Sequence, residues 1–288
     1  MIQKFYLNQE KILKNSQEFF SNSNSHTIKI GCELEFFLFE ENSQKPAALD
    51  VVDDFILQLK EFYNVEKERG ISQIEIKTDF TSDIFLLCNE LENCKKHLRE
   101  LAKNKNLEAS FLAQPLLDDC GSALQFNISL HDESGKNLFL TDEKLLKNCA
   151  ASLLLATNSM MIFLAPEEKD YQRFDFELNK KLFQSGKFPA PINLSFGADN
   201  RTCAIRIPAG KNKRLEYRLA AAGANPWLCI SAILFALAQN HDANFEQIFG
   251  NAFDSQYDLK NFCKNLKEAE EIFFMSENFL RKKLENGL

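Results

Sequence analysis

Four arginines fall within 18 residues of the stretch NRTCAIRIPAGKNKRLEYRLAAAGANPW: Arg201, Arg206, Arg214 and Arg218, with Glu216 between the last two. Ile205 and Ile207 flank Arg206, and Leu215, Tyr217 and Leu219 alternate with Arg214, Glu216 and Arg218. Side chains two apart share one face of a strand, so this Arg-Glu-Arg row points into one space with apolar residues behind it. Guanidinium forks hold carboxylate or phosphate oxygens bidentately. An exposed strand with internal ion pairs alternates in the same way, so the row alone leaves both readings open.

A second charged strand has the opposite sign. In IGCELEFFLF, Glu33 and Glu35 share a face while Leu34, Phe36 and Leu38 face the other way. Adjacent buried carboxylates repel, and burial raises their pKa values. A hard divalent cation such as Mg²⁺ or Mn²⁺ relieves both costs and prefers oxygen ligands. An edge strand with two exposed acids is the plainer alternative. In VEKERGISQIEIK, Glu75 shares a face with Gln73, and Glu68 lies seven residues earlier, across Gly70.

The elements that must position these groups follow from periodicity and punctuation. Residues 1–20 read as an amphipathic helix and 21–25 as a loop. Ile28 to Phe39 reads as a strand, Val51 to Phe62 as a helix, and Val65 to Thr78 as a strand broken near Gly70. Asp83 to Ala102 is a helix behind a Thr/Ser cap. Phe111–Pro115 and Ala123–Leu130 are expected strands, Asp142 to Phe163 a long apolar helix, and Pro166 to Pro191 a long connection. The arginine strands follow, then a helix from Pro226 to Ala238 and two or three small helices over 244–288. Strands in pairs with helices between them predict an α+β fold rather than a parallel α/β sheet.

The chain has 288 residues, and a single domain over 1–288 is the simplest organisation. A net charge of −7 argues against nucleic acid or an anionic membrane surface as the main partner. None of the eight cysteines forms a CxxC pair, which predicts reduced, buried thiols and a cytoplasmic setting. The four histidines are too dispersed for a local metal motif. No signal peptide is evident in the first 20 residues, and the apolar runs Ala150–Phe163 and Leu228–Ala238 read as core helices too short or too polar to cross a bilayer.

Taken together, several segments resemble the glutamine synthetase family, over roughly residues 28–240. GCELEFFLF resembles its acid-x-acid-Phe-Phe strand, and ERGISQIEI its Glu…Gly-Gln-x-Glu segment. QPLLDDCGSALQFNISL resembles its Lys-Pro…Gly-Ser-Gly-Met-His-x-His-x-Ser-Leu segment. APINLSFGADNRTCAIRIP and KRLEYRLAAAGANPWL resemble its Asn-Arg…Ile-Arg-Ile-Pro and Arg-x-Glu-x-Arg…Ala-Asn-Pro segments. Their shared order makes the resemblance specific.

The resemblance implies a curved antiparallel sheet with helices outside it, and a funnel that takes Mg·ATP at one end and glutamate at the other. It implies that Glu35, Glu68 and Glu75 hold one cation and that Glu33 and Glu216 help hold a second. Arg201, Arg206 and Arg214 would face phosphates, Arg218 the substrate carboxylate, and Gly121 would lie beside the bound amino acid. The implied reaction activates a carboxylate as an acyl phosphate for attack by ammonia or another amine.

Four departures accompany it. Gln125 and Asn127 stand where the family has His-x-His, so Gln125 offers the metal a neutral amide oxygen. Pro189 stands where the family has a flap glutamate. The flap arginine has no clean counterpart, with Lys181 nearby only across a gap. About 30 residues precede the acid-x-acid strand, leaving no room for the family's N-terminal β-rich domain. Two functions follow: a carboxylate–amine ligase, or a non-catalytic nucleotide- and metal-binding relative that associates with a full-length synthetase. A decayed remnant is a third reading, disfavoured because buried acids are costly to keep without a ligand. Homo-oligomerisation is left open.

Overall fold

The computed structural model describes residues 2–242 and 245–288. Its centre is an eight-stranded sheet: β1 (Thr27–Glu40), β2 (Asn64–Lys67), β3 (Gln73–Lys77), β4 (Leu107–Ser110), β5 (Ala123–His131), β6 (Phe196–Ala198), β7 (Ile205–Ile207) and β8 (Leu215–Ala221). The order is β2-β3-β1-β5-β8-β7-β6, with β4 also paired to β1. All pairings are antiparallel except β6–β7, which is parallel and corrects the wholly antiparallel expectation. The helices are α1 (Gln3–Leu7), α2 (Gln9–Ser23), α3 (Leu49–Leu59), α4 (Ile84–Lys103), α5 (Glu143–Leu164), α6 (Phe176–Gln184), α7 (Pro226–Leu237), α8 (Leu266–Phe274) and α9 (Phe279–Asn286).

The strand alternation decides which face is dry. Ile30, Cys32, Leu34, Phe36 and Leu38 of β1, Leu124, Phe126 and Ile128 of β5, and Leu215, Tyr217 and Leu219 of β8 are all buried in one core. Helix α7 is buried along its whole length, as an all-apolar helix must be. Asn225 starts it by accepting the Leu228 N–H at 3.1 Å, and Pro226 follows at the first turn. The two ends of the chain meet: α2 packs on α7, and Lys4 pairs with Glu285 of α9 at 3.0 Å.

Several expectations are corrected in detail. The first helix is two helices meeting at Asn8, and α2 runs on through the expected loop to Ser23. The cap of α4 is Asp83, which accepts the Leu86 N–H at 3.0 Å, while the Thr81 hydroxyl holds the Asp83 N–H. The expected strand Phe111–Pro115 lies earlier, as β4, because β1 pairing ends at Phe37–Ser110 and the chain then turns. The connection after Pro166 contains a 3-10 helix, Glu168–Phe174, and α6, started by Asp175 accepting the Leu178 N–H at 2.7 Å. Of the C-terminal stretch, residue 244 lies outside the described residues. Helix α5, at 22 residues, is long and apolar enough to cross a bilayer, contrary to expectation, but it packs against α7, α8 and β8 as a core helix.

Candidate active site

The polar alternates of five neighbouring strands share the other face of the sheet. Glu35 lies opposite Glu75 across β1–β3, and Glu33 opposite Gln125 across β1–β5. Asn127 lies opposite Glu216 across β5–β8, and Arg206 opposite Glu216 across β7–β8. Acids therefore sit on the β3–β1 side and guanidiniums on the β8–β7 side, with the two amides of β5 between them.

On the acidic side, Glu35 accepts the Ala123 N–H at 2.9 Å, Gln73 Nε2 at 3.2 Å and Gln125 Nε2. Glu33 accepts Asn127 Nδ2 at 3.0 Å, and Glu75 lies 3.2 Å from Lys77 Nζ. Burial, then repulsion from Glu33, Glu35 and Glu68, pushes the Glu75 carboxyl up to about 9. Burial raises Glu35 to about 7 against the pull of Arg173. Burial, then Glu216, raises Glu33. Glu68, half-buried at the rim, accepts the Arg69 N–H at 2.7 Å.

These groups suit a hard cation in chemistry. Glu33, Glu35 and Glu75 are oxygen donors short of positive charge, and Gln125 Oε1 is buried without a hydrogen-bond partner. Among the described residues, however, no three acidic, His or Cys side chains converge as a ready-made cage. Glu33 and Glu35 would exchange amide partners, and Glu75 its ammonium partner, for a metal. Glu216 stands apart from this set, with Arg206 Nη1 at 2.8 Å and Arg218 Nε at 3.3 Å on its two oxygens.

On the basic side, Arg206 also donates through Nε to Asp199 at 3.0 Å. Arg214 Nε donates to Asn127 Oδ1 at 2.6 Å. Arg218 is buried, and its Nη1 donates to the carbonyls of Arg201 and Cys203. The Arg201 guanidinium lies over the Phe188 ring, 4.2 Å from its centroid.

Three concavities open along this face. The middle one, only about 30 Å³, brings together the expected Glu35, Glu68, Gly121, Gln125, Arg201 and Arg218. A basic one of about 300 Å³ is lined by Lys29, Lys211, Lys213, Arg214, Ser129 and His131. A third of about 690 Å³ takes Arg201 and Arg206 together with Lys187, Pro189 and exposed Phe249. Glu33, Glu75 and Glu216 line none of the three. Gly121 has no room for a side chain: a Cβ would lie 2.7 Å from the Ala113 carbonyl, 2.8 Å from Arg173 Cγ and 2.9 Å from Gln114 Oε1.

Lys181 is exposed on α6 and lines none of these concavities. Arg173, which the sequence alone did not single out, lines the middle cavity beside Arg201 and Arg218. Arg69 and Lys211 were missed as well. Gln73 was legible through its alternation with Glu75; Arg173 lies in a segment without periodicity and gave no signal.

Residues 50–287 match the family model described as glutamine synthetase, catalytic domain, and the chain belongs to that family. It is 31% identical over 198 residues to the gamma-glutamylputrescine synthetase PuuA of Escherichia coli, covering 66% of this chain and 40% of that protein. It is 26% identical to the glutamine synthetase of Clostridium saccharobutylicum, over 90% of this chain and 64% of that protein. It is 25% identical to the gamma-glutamylethanolamide synthetase GlnA4 of Streptomyces coelicolor, over 86% of this chain and 58% of that protein. The chain thus spans between two fifths and two thirds of the length of these relatives. A solved structure of GmaS with ADP superposes with a TM-score of 0.77 at 19% identity, over 96% of this chain and 70% of that one. The α+β fold is accordingly the glutamine synthetase-like one.

Proposed function

We propose that the chain, acting as one unit over 1–288, is an ATP-dependent carboxylate–amine ligase that activates a glutamate-type carboxylate as an acyl phosphate for attack by ammonia or another amine. The observation that carries this reading is the unbroken hydrogen-bonded line Arg214–Asn127–Glu33, which joins the basic pocket to the acids. Lys29, Lys211, Lys213 and Arg214 suit the phosphates of ATP in the basic pocket. Arg201 and Arg206 would meet charge developing on the transferred phosphoryl group, and Arg218 would face the substrate carboxylate beside Gly121. Mg²⁺ or Mn²⁺ held by Glu33, Glu35 and Glu75, with Gln125 Oε1 and Glu68 at the margin, would neutralise phosphate charge. Glu216 fits better as the residue that orients Arg206 and Arg218 than as a metal ligand. Pro189 cannot take a proton, so the amine must be deprotonated elsewhere.

Two relatives named for amines other than ammonia support an acceptor beyond ammonia. The eight free, buried cysteines accord with a reducing compartment such as the cytoplasm. The second reading, a non-catalytic nucleotide-binding relative associated with a full-length synthetase, is favoured by the narrowness of the middle cavity. Calorimetric titration with ATP in Mg²⁺ and in Mn²⁺, followed by phosphate release with glutamate and a panel of ammonia, putrescine and ethanolamine, separates the two. Amine-dependent turnover supports the ligase, binding without turnover supports the relative, and no ATP binding removes both.

A further inference from the structure

The acids of the site form a row that crosses three strands. Glu35 of β1 lies opposite Glu75 of β3, and Glu75 lies opposite Glu66 of β2. Residues directly opposite in antiparallel strands share a face, so three carboxylates stand side by side. The adjoining row on that face is Glu33, Lys77 and Asn64. Lys77 therefore reaches the acids from the middle strand, two residues along from Glu75.

Its ammonium bridges two of them. Nζ lies 3.2 Å from Glu75 Oε1 and donates to Glu66 Oε1. The two links differ in setting. The Glu75 side chain is 4% exposed, whereas that of Glu66, on the edge strand, is 55% exposed. Taking the partner from a buried carboxylate leaves an uncompensated charge, while an exposed pair contributes little, so Glu75 is the partner that counts. Lys77 also has room to move. It lines a cavity of about 400 Å³ together with Asp79 and Glu90, two further carboxylates.

We propose that Lys77 is a resident counter-cation of the metal site: its ammonium neutralises Glu75 and must yield that carboxylate to a divalent ion, retreating to Glu66. This rests on reading Glu75 as a metal ligand. The incoming ion then meets a positive neighbour, so bare metal binds weakly, and the negative phosphates of a nucleotide tip the balance. Lys77 thereby makes metal occupancy conditional on the nucleotide.

The test is Mn²⁺ binding without nucleotide, by calorimetry at fixed pH, in the wild type, Lys77→Met, Lys77→Arg and Glu75→Gln. Methionine keeps an unbranched stem and removes the charge. Removing one positive charge favours a divalent ion twice as strongly as the proton that competes for the same carboxyl, so the sign of the effect is fixed. Expected is binding on the order of tenfold tighter in Lys77→Met, wild-type affinity in Lys77→Arg and loss in Glu75→Gln. Lys77→Met should also melt lower than the wild type in metal-free buffer and gain more from Mn²⁺. Mn²⁺ binding by folded Lys77→Met that is no tighter than wild type, beside a loss in Glu75→Gln, overturns the counter-cation and leaves the metal site standing. Wild-type affinity in Glu75→Gln, or no Mn²⁺ binding by any of the proteins, removes the metal reading and the counter-cation with it. Should Lys77→Met fail to fold, Lys77→Gln, which still offers Glu75 an uncharged donor, decides by the same titration.

Discussion

Arg214 and Glu33 never touch, yet one side chain serves both. Asn127 accepts from Arg214 at 2.6 Å and donates to Glu33 at 3.0 Å, using the two ends of a single amide. A neutral amide can do this because it carries a donor and an acceptor on one carbon. Replacing it by Leu leaves both charged partners without that hydrogen bond. Asn127→Leu is expected to lower stability by about 1–3 kcal/mol in urea denaturation and to weaken ATP binding about tenfold in calorimetry. An unchanged ATP affinity would detach the amide from the nucleotide site.

The acids make stability depend on pH in an uncommon direction. Glu75 is raised to about 9 and Glu35 to about 7, chiefly by burial, from an ordinary carboxylate value of 4.5. Between 4.5 and those values the unfolded chain has released protons that the folded protein keeps, so the folded state binds more protons and stability falls as pH rises. In metal-free buffer the unfolding free energy is expected to drop from pH 5 to pH 9, by up to about 1.4 kcal/mol per pH unit for each such group, and the melting temperature to fall with it. Glu75→Gln should flatten the upper part of that slope. Saturating Mg²⁺ or Mn²⁺ should flatten it too, because a bound cation favours the ionised acids. A profile that rises over the same range would remove this account.

Gly121 is fixed by crowding rather than by backbone angle. Two of the three atoms that a Cβ would meet, the Ala113 carbonyl oxygen and Arg173 Cγ, belong to segments pinned elsewhere. Gly121→Ala is expected to cost about 1–3 kcal/mol, as overpacking does, measured by chemical denaturation. A neutral result would mean that the turn yields easily.

Asn225 ties the central apolar helix to the start of the chain. Besides capping α7, its Nδ2 donates to Gln9 Oε1 at 2.7 Å. Asn225→Ala should cost about 1–2 kcal/mol, while Gln9→Ala, which spares the cap, should cost less. Equal losses in thermal melts would place the energy in the Gln9 contact instead.

The strands that carry charge could be read from the chain because their alternation was strict. Glu33 and Glu35 alternate with Leu34 and Phe36, and Arg214, Glu216 and Arg218 with Leu215, Tyr217 and Leu219, so the shared face followed from period two. Helix α7 was equally plain from Asn-Pro followed by an apolar run. What stayed hidden depends on register between distant segments. The pairing of Glu216 with two arginines requires β7 and β8 to be neighbours at a given offset. The place of Arg173 requires a bulge in β8 that local spacing does not announce. The parallel β6–β7 edge has only three residues a side, too few to leave a pattern.

The meeting of Lys4 with Glu285, and of α2 with α7, sets the order in which this protein can be completed during synthesis. Helix α2 is made some two hundred residues before its partner helix α7, and the closing ion pair forms only once α9 follows. Until the ribosome releases those last turns, the apolar side of α2 has no permanent cover. The core is therefore sealed only once α9 has left the ribosome, and a nascent chain stalled before α9 must be shielded by something other than itself.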